Sequence, residues 1–129
     1  MIEEKFIESA KAVAISGVGT CKGGFRVGAV LLERGRIINA KSNSYKTHPL
    51  LTKYTEWPFQ HAESACIIAN GIDNCEDMDL IVTRVDKRNN LTMAKPCDSC
   101  QALMRDANIN KVFYSNWKGE FECLQITLN

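Results

Sequence analysis

The sequence predicts an α/β protein, a three-layer α/β/α sandwich around a five-stranded mixed sheet. Three observations carry that prediction. Stretches with helical spacing of apolar residues alternate with short β-rich runs. The order reads helix, hairpin, helix, strand, helix, strand, strand. The last two strands are separated only by Trp117-Lys118-Gly119, too short for a parallel crossover of about a dozen residues. Strands four and five are therefore expected to be antiparallel neighbours. With 129 residues, the chain is expected to form one domain, 1–129, whose core needs no disulfide staples.

Each element follows from local pattern. Ile2, Phe6, Ala10, Val13 and Ala14 recur at helical spacing, which predicts an amphipathic helix ending near Gly17. Residues 17–24 are glycine-rich but lack the Gly-Lys-Ser/Thr ending of a phosphate-binding loop, so they read as a turn. Residues 25–32 and 36–43 are β-rich on either side of Glu33-Arg34-Gly35, a hairpin signal. The long segment 44–59, rich in Thr, Pro, Tyr and Trp, leads straight into His61 and is placed to wall a site. A helix then starts near His61, just past Pro58, carries Ala65, Cys66, Ile68 and Ala69, and stops at Asn70-Gly71. Residues 79–85 read as a buried strand, 86–90 as a polar turn and 91–95 as the approach to a helix running from Cys97 to about Asn108. Residues 111–116 and 120–126 supply the fourth and fifth strands.

Composition narrows the function class. Sixteen Lys plus Arg against 15 Asp plus Glu leave a net charge of +1 without a run of like charges, so no dominant polyanion partner is implied. No stretch approaches the roughly 20 apolar residues of a membrane span, and residues 1–16 are charged and amphipathic rather than a signal peptide. A cytoplasmic protein without a membrane partner is expected. Of the six cysteines, two sit in a motif that needs thiolates, so reduced thiols are expected rather than a disulfide framework. Cys66 and Cys123 lie on apolar patterns that suggest core, and Cys21 and Cys75 are unassigned.

The chemistry concentrates in His61-Ala62-Glu63 and Pro96-Cys97-Asp98-Ser99-Cys100. His61, Cys97 and Cys100 supply three metal ligands, and catalytic zinc keeps three protein ligands and an open fourth position. Cys97 and Cys100, three apart, share a helix face; Pro96 suits the helix start, and the helix end favours thiolates. His61 and Glu63 are two apart, which mid-helix would splay them by about 200°, so they converge only at a helix end. A closed structural site with Glu63 or Cys66 as fourth ligand is the alternative. His48 is a spare donor, but His-Pro in a polar loop reads as an exposed turn rather than a second metal site.

This two-part signature is that of zinc-dependent nucleobase deaminases, and the chain resembles the cytidine and deoxycytidylate deaminase superfamily. The resemblance implies a cytidine deaminase-like fold, a Zn2+ cofactor and hydrolytic attack at C4 of cytosine, with Glu63 as proton shuttle. It also implies that the backbone N–H of Ala62 contacts the base carbonyl, that Asn43 contacts sugar or base, and that the protein is a homo-oligomer. The antiparallel last hairpin is similar to small nucleoside deaminases and some bacterial single-strand DNA deaminase toxins. His61 is instead similar to deoxycytidylate and tRNA adenosine deaminases. Ala65 stands where many deoxycytidylate deaminases have Asn, and Trp57-Pro58-Phe59-Gln60 where many deaminases have an Asp-Pro-Thr type segment. The favoured expectation is a free nucleotide or nucleoside substrate of the deoxycytidylate type, with Lys46, His48 and Lys53 as phosphate contacts and Tyr54, Trp57 or Phe59 stacking on the base. Alternatives are a single-stranded DNA or RNA cytosine deaminase and a non-catalytic zinc-binding module.

Overall fold

A computed structural model describes residues 2–17, 26–55 and 60–127. The expected turn over 18–24, with Cys21, and the loop residues Trp57, Pro58 and Phe59 lie outside the described residues.

The chain runs α1 (Glu4–Ser16), β1 (Arg26–Glu33), β2 (Arg36–Ser42), α2 (Ala62–Asn70), β3 (Asp79–Val85), β4 (Leu91–Thr92), α3 (Asp98–Asp106), β5 (Lys111–Ser115) and β6 (Phe121–Gln125). Short 3-10 turns occupy Pro49–Lys53 and Ile72–Asn74. The sheet order is β2-β1-β3-β5-β6, with β4 attached to β3. The hairpin turns at Arg34 and Gly35, both at positive φ (49° and 77°), the two-residue geometry that matches strand twist. β5 and β6 pair antiparallel, as the short connection requires. The sixth strand is an addition: Leu91 and Thr92 pair with Val85 and Arg84, but two residues are too few for alternation to register as a strand in sequence.

The alternation of β1 builds the three layers. Val30 and Leu32 point to one face, where they meet Phe6 and Ala10 of α1 and Ile81 of β3. Ala29 and Leu31 point to the other, joining Ala62, Cys66 and Ile67 of α2 and Leu103 and Met104 of α3. Cys66 is buried as expected and so is Cys75, whereas Cys123 is exposed. The correction has a simple cause: β6 is an edge strand, and α1 packs over β1, β2 and β3, leaving the Cys123 face uncovered. All five described cysteines are free.

Strand direction places the site. β1 is antiparallel to both β2 and β3, and β3 is parallel to β5, so β2, β3 and β5 all end at one edge of the sheet. α2 follows β2 and α3 follows β3 and β4, so both helices start at that carboxyl edge, the usual ligand side of such sheets. Among the described residues, no helix is long and apolar enough to cross a membrane.

The α1 layer sits unusually close. A Cβ on Gly28 would lie 2.3 Å from the Ala10 carbonyl oxygen and 2.5 Å from the Ala14 nitrogen, both backbone atoms that cannot rotate away. Gly28→Ala is therefore expected to lever α1 off the sheet and cost about 2–3 kcal/mol or more. Urea denaturation checks this, and a midpoint within error of wild type would refute the close contact.

Candidate metal centre and active site

His61 is the N-cap of α2 and Cys97 the N-cap of α3. Both have extended backbone, and neither side chain caps its own helix. Their carbonyls accept the first intrahelical bonds, from Ala65 and Gln101, while the side chains turn towards each other. Cys100, in the first turn of α3, completes the group. His61 Nδ1 lies 3.7 Å from Cys97 Sγ and 3.3 Å from Cys100 Sγ, and all three donor atoms lie within 4.8 Å of one another. A tetrahedral zinc with ordinary bond lengths would set N···S edges of about 3.6 Å. The donors fit.

The local sequence explains this convergence. Pro96 precedes the N-cap instead of opening α3 as expected, and its carbonyl is held by the Gln101 side chain at 2.9 Å. Ser99 Oγ lies 3.2 Å from Cys97 Sγ, and Ser64 Oγ donates to the His61 carbonyl at 2.9 Å. Glu63, in the first turn of α2, is buried, as is Ala62. The divergence that a mid-helix position would force on His61 and Glu63 is thus avoided by placing His61 outside the helix.

Neither alternative fourth ligand joins the cluster. Cys66 points into the core, 3.5 Å from the Ala29 carbonyl, and burial pushes its thiol up to about 12. His48 is not a ligand either: its Nδ1 accepts from the Leu50 N–H at 3.1 Å, capping the turn Pro49–Lys53.

Electrostatics divide the site. The Cys100 thiol and His61 hydrogen-bond to Cys97 and hold it well below the ordinary thiol range. The same contact with Cys97, then burial, raises Cys100. Hydrogen bonding to Cys97 raises His61 against the opposing effect of burial. Burial raises the Glu63 carboxyl, while its own backbone N–H and the nearby His61 pull the other way.

The loop from β2 to α2 does wall the site, as expected. Leu51, Tyr54 and Thr55 face His61, Ser64, Cys100 and Leu103 across a narrow cleft. A latch that sequence reading missed holds this wall: Tyr54 Oη donates to Asp106 Oδ2 at 2.6 Å, and Lys53 Nζ reaches the same oxygen at 3.5 Å while lying over the Tyr54 ring. Lys53 and Tyr54, expected at phosphate and base, are thus engaged with α3. Nothing in a sequence links Tyr54 to a residue 52 positions on. Asn43 lies buried at the end of β2, where its Oδ1 accepts from the Val27 N–H at 3.0 Å.

The family model for the cytidine and deoxycytidylate deaminase zinc-binding region matches residues 1–116. The chain belongs to this family. It is a hydrolytic deaminase, zinc-dependent by family. Solved structures agree in fold. The cytidine deaminase of Burkholderia pseudomallei superposes with a TM-score of 0.66 at 18% identity, covering 98% of this chain and 94% of that one. The dCMP deaminase of cyanophage S-TIM5, in complex with dCMP and dUMP, gives 0.58 at 22% identity over 91% and 85%. A tRNA:A34 deaminase gives 0.54 at 25% identity over 89% and 78%. No curated protein matches at a significant level.

Two predictions follow from this geometry. Zinc must compete with protons for His61 and Cys100, because only neutral imidazole and thiolate coordinate. Their raised pKa values mean that affinity rises with pH and that protons are released at pH 7; chelator competition at several pH values and unbuffered titration read both, and a pH-independent affinity would contradict the ligand set. The Tyr54–Asp106 latch has its own pH window. Asp106 is lowered chiefly by Tyr54, so the stabilisation is present above about pH 4, the unfolded aspartate value, and fades as pH falls through the folded pKa. Tyr54 is raised to about 12 by burial and Asp106, so the stabilisation is lost as pH climbs from about 10 through that value. Tyr54→Phe is expected to lower Tm between those limits, with the gap closing at both ends; an equal gap at all pH values would show lost packing instead.

Proposed function

We propose that the protein removes the exocyclic amine from a cytosine base carried by a free nucleotide of the deoxycytidylate type, giving the uracil product and ammonia. The observation that carries this reading is a buried carboxyl, Glu63, in the first helical turn beside a three-donor cluster with no fourth protein ligand among the described residues. His61, Cys97 and Cys100 would hold the metal. Bound there, zinc supplies Lewis acidity, which lowers the pKa of water from roughly 15.7 to about 7.

The chain's own residues do the rest. Glu63 takes the proton of the attacking water, delivers it to ring N3, and carries the second proton to the departing amine. A carboxyl raised by burial suits both directions, because a group whose pKa approaches the working pH serves as base and as acid. The Ala62 N–H, one of the first N–H groups of α2 without an intrahelical acceptor, holds the base carbonyl. Asn43 contacts sugar or base, its amide oriented by the bond to Val27. A phosphate-bearing substrate is favoured over a nucleoside because Lys46, Lys87, Arg88, Lys95 and Lys118 are all exposed at or beside the carboxyl edge. The S-TIM5 enzyme with dCMP and dUMP offers a precedent in the same fold.

Glu63→Gln should retain zinc and lose about a hundredfold to ten-thousandfold or more in turnover. Ammonia release from dCMP, CMP, deoxycytidine and cytidine, measured beside zinc content, tests both halves. Full activity in the variant would sink the proton shuttle; equal efficiency on deoxycytidine and dCMP would remove the phosphate preference.

A further inference from the structure

Cys97 and Cys100 stand in an arrangement that holding a metal does not by itself require. Cys97, the N-cap of α3, is exposed. Cys100, in the first turn of the same helix, is only 5% exposed and belongs to the buried cluster with Leu103 and Met104. Their two sulfurs lie within 4.8 Å of each other. A disulfide brings sulfurs to about 2.05 Å, so side-chain rotation closes most of that gap. Cys97 precedes the first helical residue, Asp98, so any remaining adjustment falls on a flanking residue and not on the helix. Among the described residues, no other thiol is placed to compete. Cys66 lies in the core against the Ala29 carbonyl, buried Cys75 is 3.3 Å from the Gly71 carbonyl, and Cys123 stands on the edge strand β6.

The difference in access sets an order of events. A disulfide arriving from solvent meets Cys97 and not Cys100. The mixed disulfide formed at Cys97 then has a second thiol directly behind it, out of reach of solvent and within reach of the Cys97 sulfur. This is the division of labour between an attacking and a resolving cysteine. Its consequence for the metal centre is large, because one bond between two ligands removes two of the three protein donors at once. His61 alone remains, and neither neighbouring donor can replace what is lost. Cys66 is held in the core, and His48 Nδ1 already accepts from the Leu50 N–H.

We propose that Cys97 and Cys100 form a reversible disulfide that expels zinc and switches the enzyme off, with a small-molecule disulfide such as glutathione disulfide as the oxidant. The proposal rests on the reading of His61, Cys97 and Cys100 as the metal ligands. The Cys97 thiolate attacks one sulfur of the oxidant, whose S–S bond breaks and releases one glutathione thiolate. The Cys100 thiolate then attacks Cys97 Sγ, and the second glutathione thiolate leaves. The two protein thiolates have together given up two electrons, the oxidant has taken them, and the metal departs as the divalent ion. A dithiol reductant and fresh zinc reverse the sequence.

The test incubates the zinc-loaded protein with graded ratios of glutathione disulfide to glutathione. Free zinc is read with a chromogenic chelator, against a control in glutathione alone, and thiol state is read by peptide mass. The expected result is release of zinc equimolar with the chain, in step with loss of a pair of hydrogen atoms from the peptide that carries both cysteines. Dithiothreitol and zinc should restore the starting state. Cys123→Ser, which removes the exposed thiol of β6, should leave zinc release unchanged. Cys100→Ser, prepared without metal, should stop at the mixed disulfide, with one glutathionyl group on Cys97. Zinc retained while Cys123 alone is modified, a mixed disulfide at Cys97 that persists in the wild type, or a bond from Cys97 or Cys100 to another cysteine overturns the proposal. The ligand reading fails separately: Cys97→Ser and Cys100→Ser proteins that hold zinc as tightly as wild type would overturn it, whatever the response to the oxidant.

Discussion

Two helix starts meeting at one point is the constraint on which the rest of this structure depends. An N-cap side chain ordinarily satisfies one of the free N–H groups of its own helix. His61 and Cys97 give up that role and turn to each other. The first N–H groups of α2 and α3 are left directed at the site, where their partial positive charge favours thiolate and carboxylate. The sheet makes the meeting possible, because β2 and β3 end at one edge and the helices that come after them, α2 and α3, begin there. Packing then fixes it: Cys100 and Ala62 belong to the same buried cluster as Leu31, Leu80 and Val112, so the ligands cannot separate without opening the core.

Glu63 is the point of tension in that arrangement. Burial makes its charged form costly, while its backbone N–H and the histidine favour it. Burial wins, so the carboxyl sits above the ordinary carboxylate range. An acid buried in the core is costly to the fold, and under the proposed reading it is the group held away from bulk water for proton transfer.

Local signals made most of this legible in sequence. β3 has the expected bounds, the hairpin turns at the expected Arg34-Gly35, and the glycine stop of α2 falls at Gly71, at a φ of 94°. The three-donor cluster was readable because its spacing is short within each motif and its residue types are rare outside metal sites. What escaped is what depends on distant neighbours. β4 exists because Arg84 and Val85 are there to pair with it. Cys123 looks like core until the sheet is seen to extend past α1. Lys53 and Tyr54 looked like substrate contacts because nothing local shows that Asp106 lies beside them.

The charge of the centre bears directly on substrate choice. A zinc ion with two thiolates and a neutral imidazole carries no net charge, and an ionised Glu63 makes the centre negative. The chemistry therefore repels a phosphate slightly instead of attracting it. Any preference for anionic substrates must come from outside the ligand sphere, from cations far enough from Glu63 not to pin it as a permanent carboxylate and near enough for their fields to reach the mouth. Exposed lysines on turns at the carboxyl edge are candidates for that role, because charges within about a Debye length, roughly 8–10 Å, still attract one another through water. Exposed Asp86, Asp98 and Glu120 share that edge and offset part of the attraction.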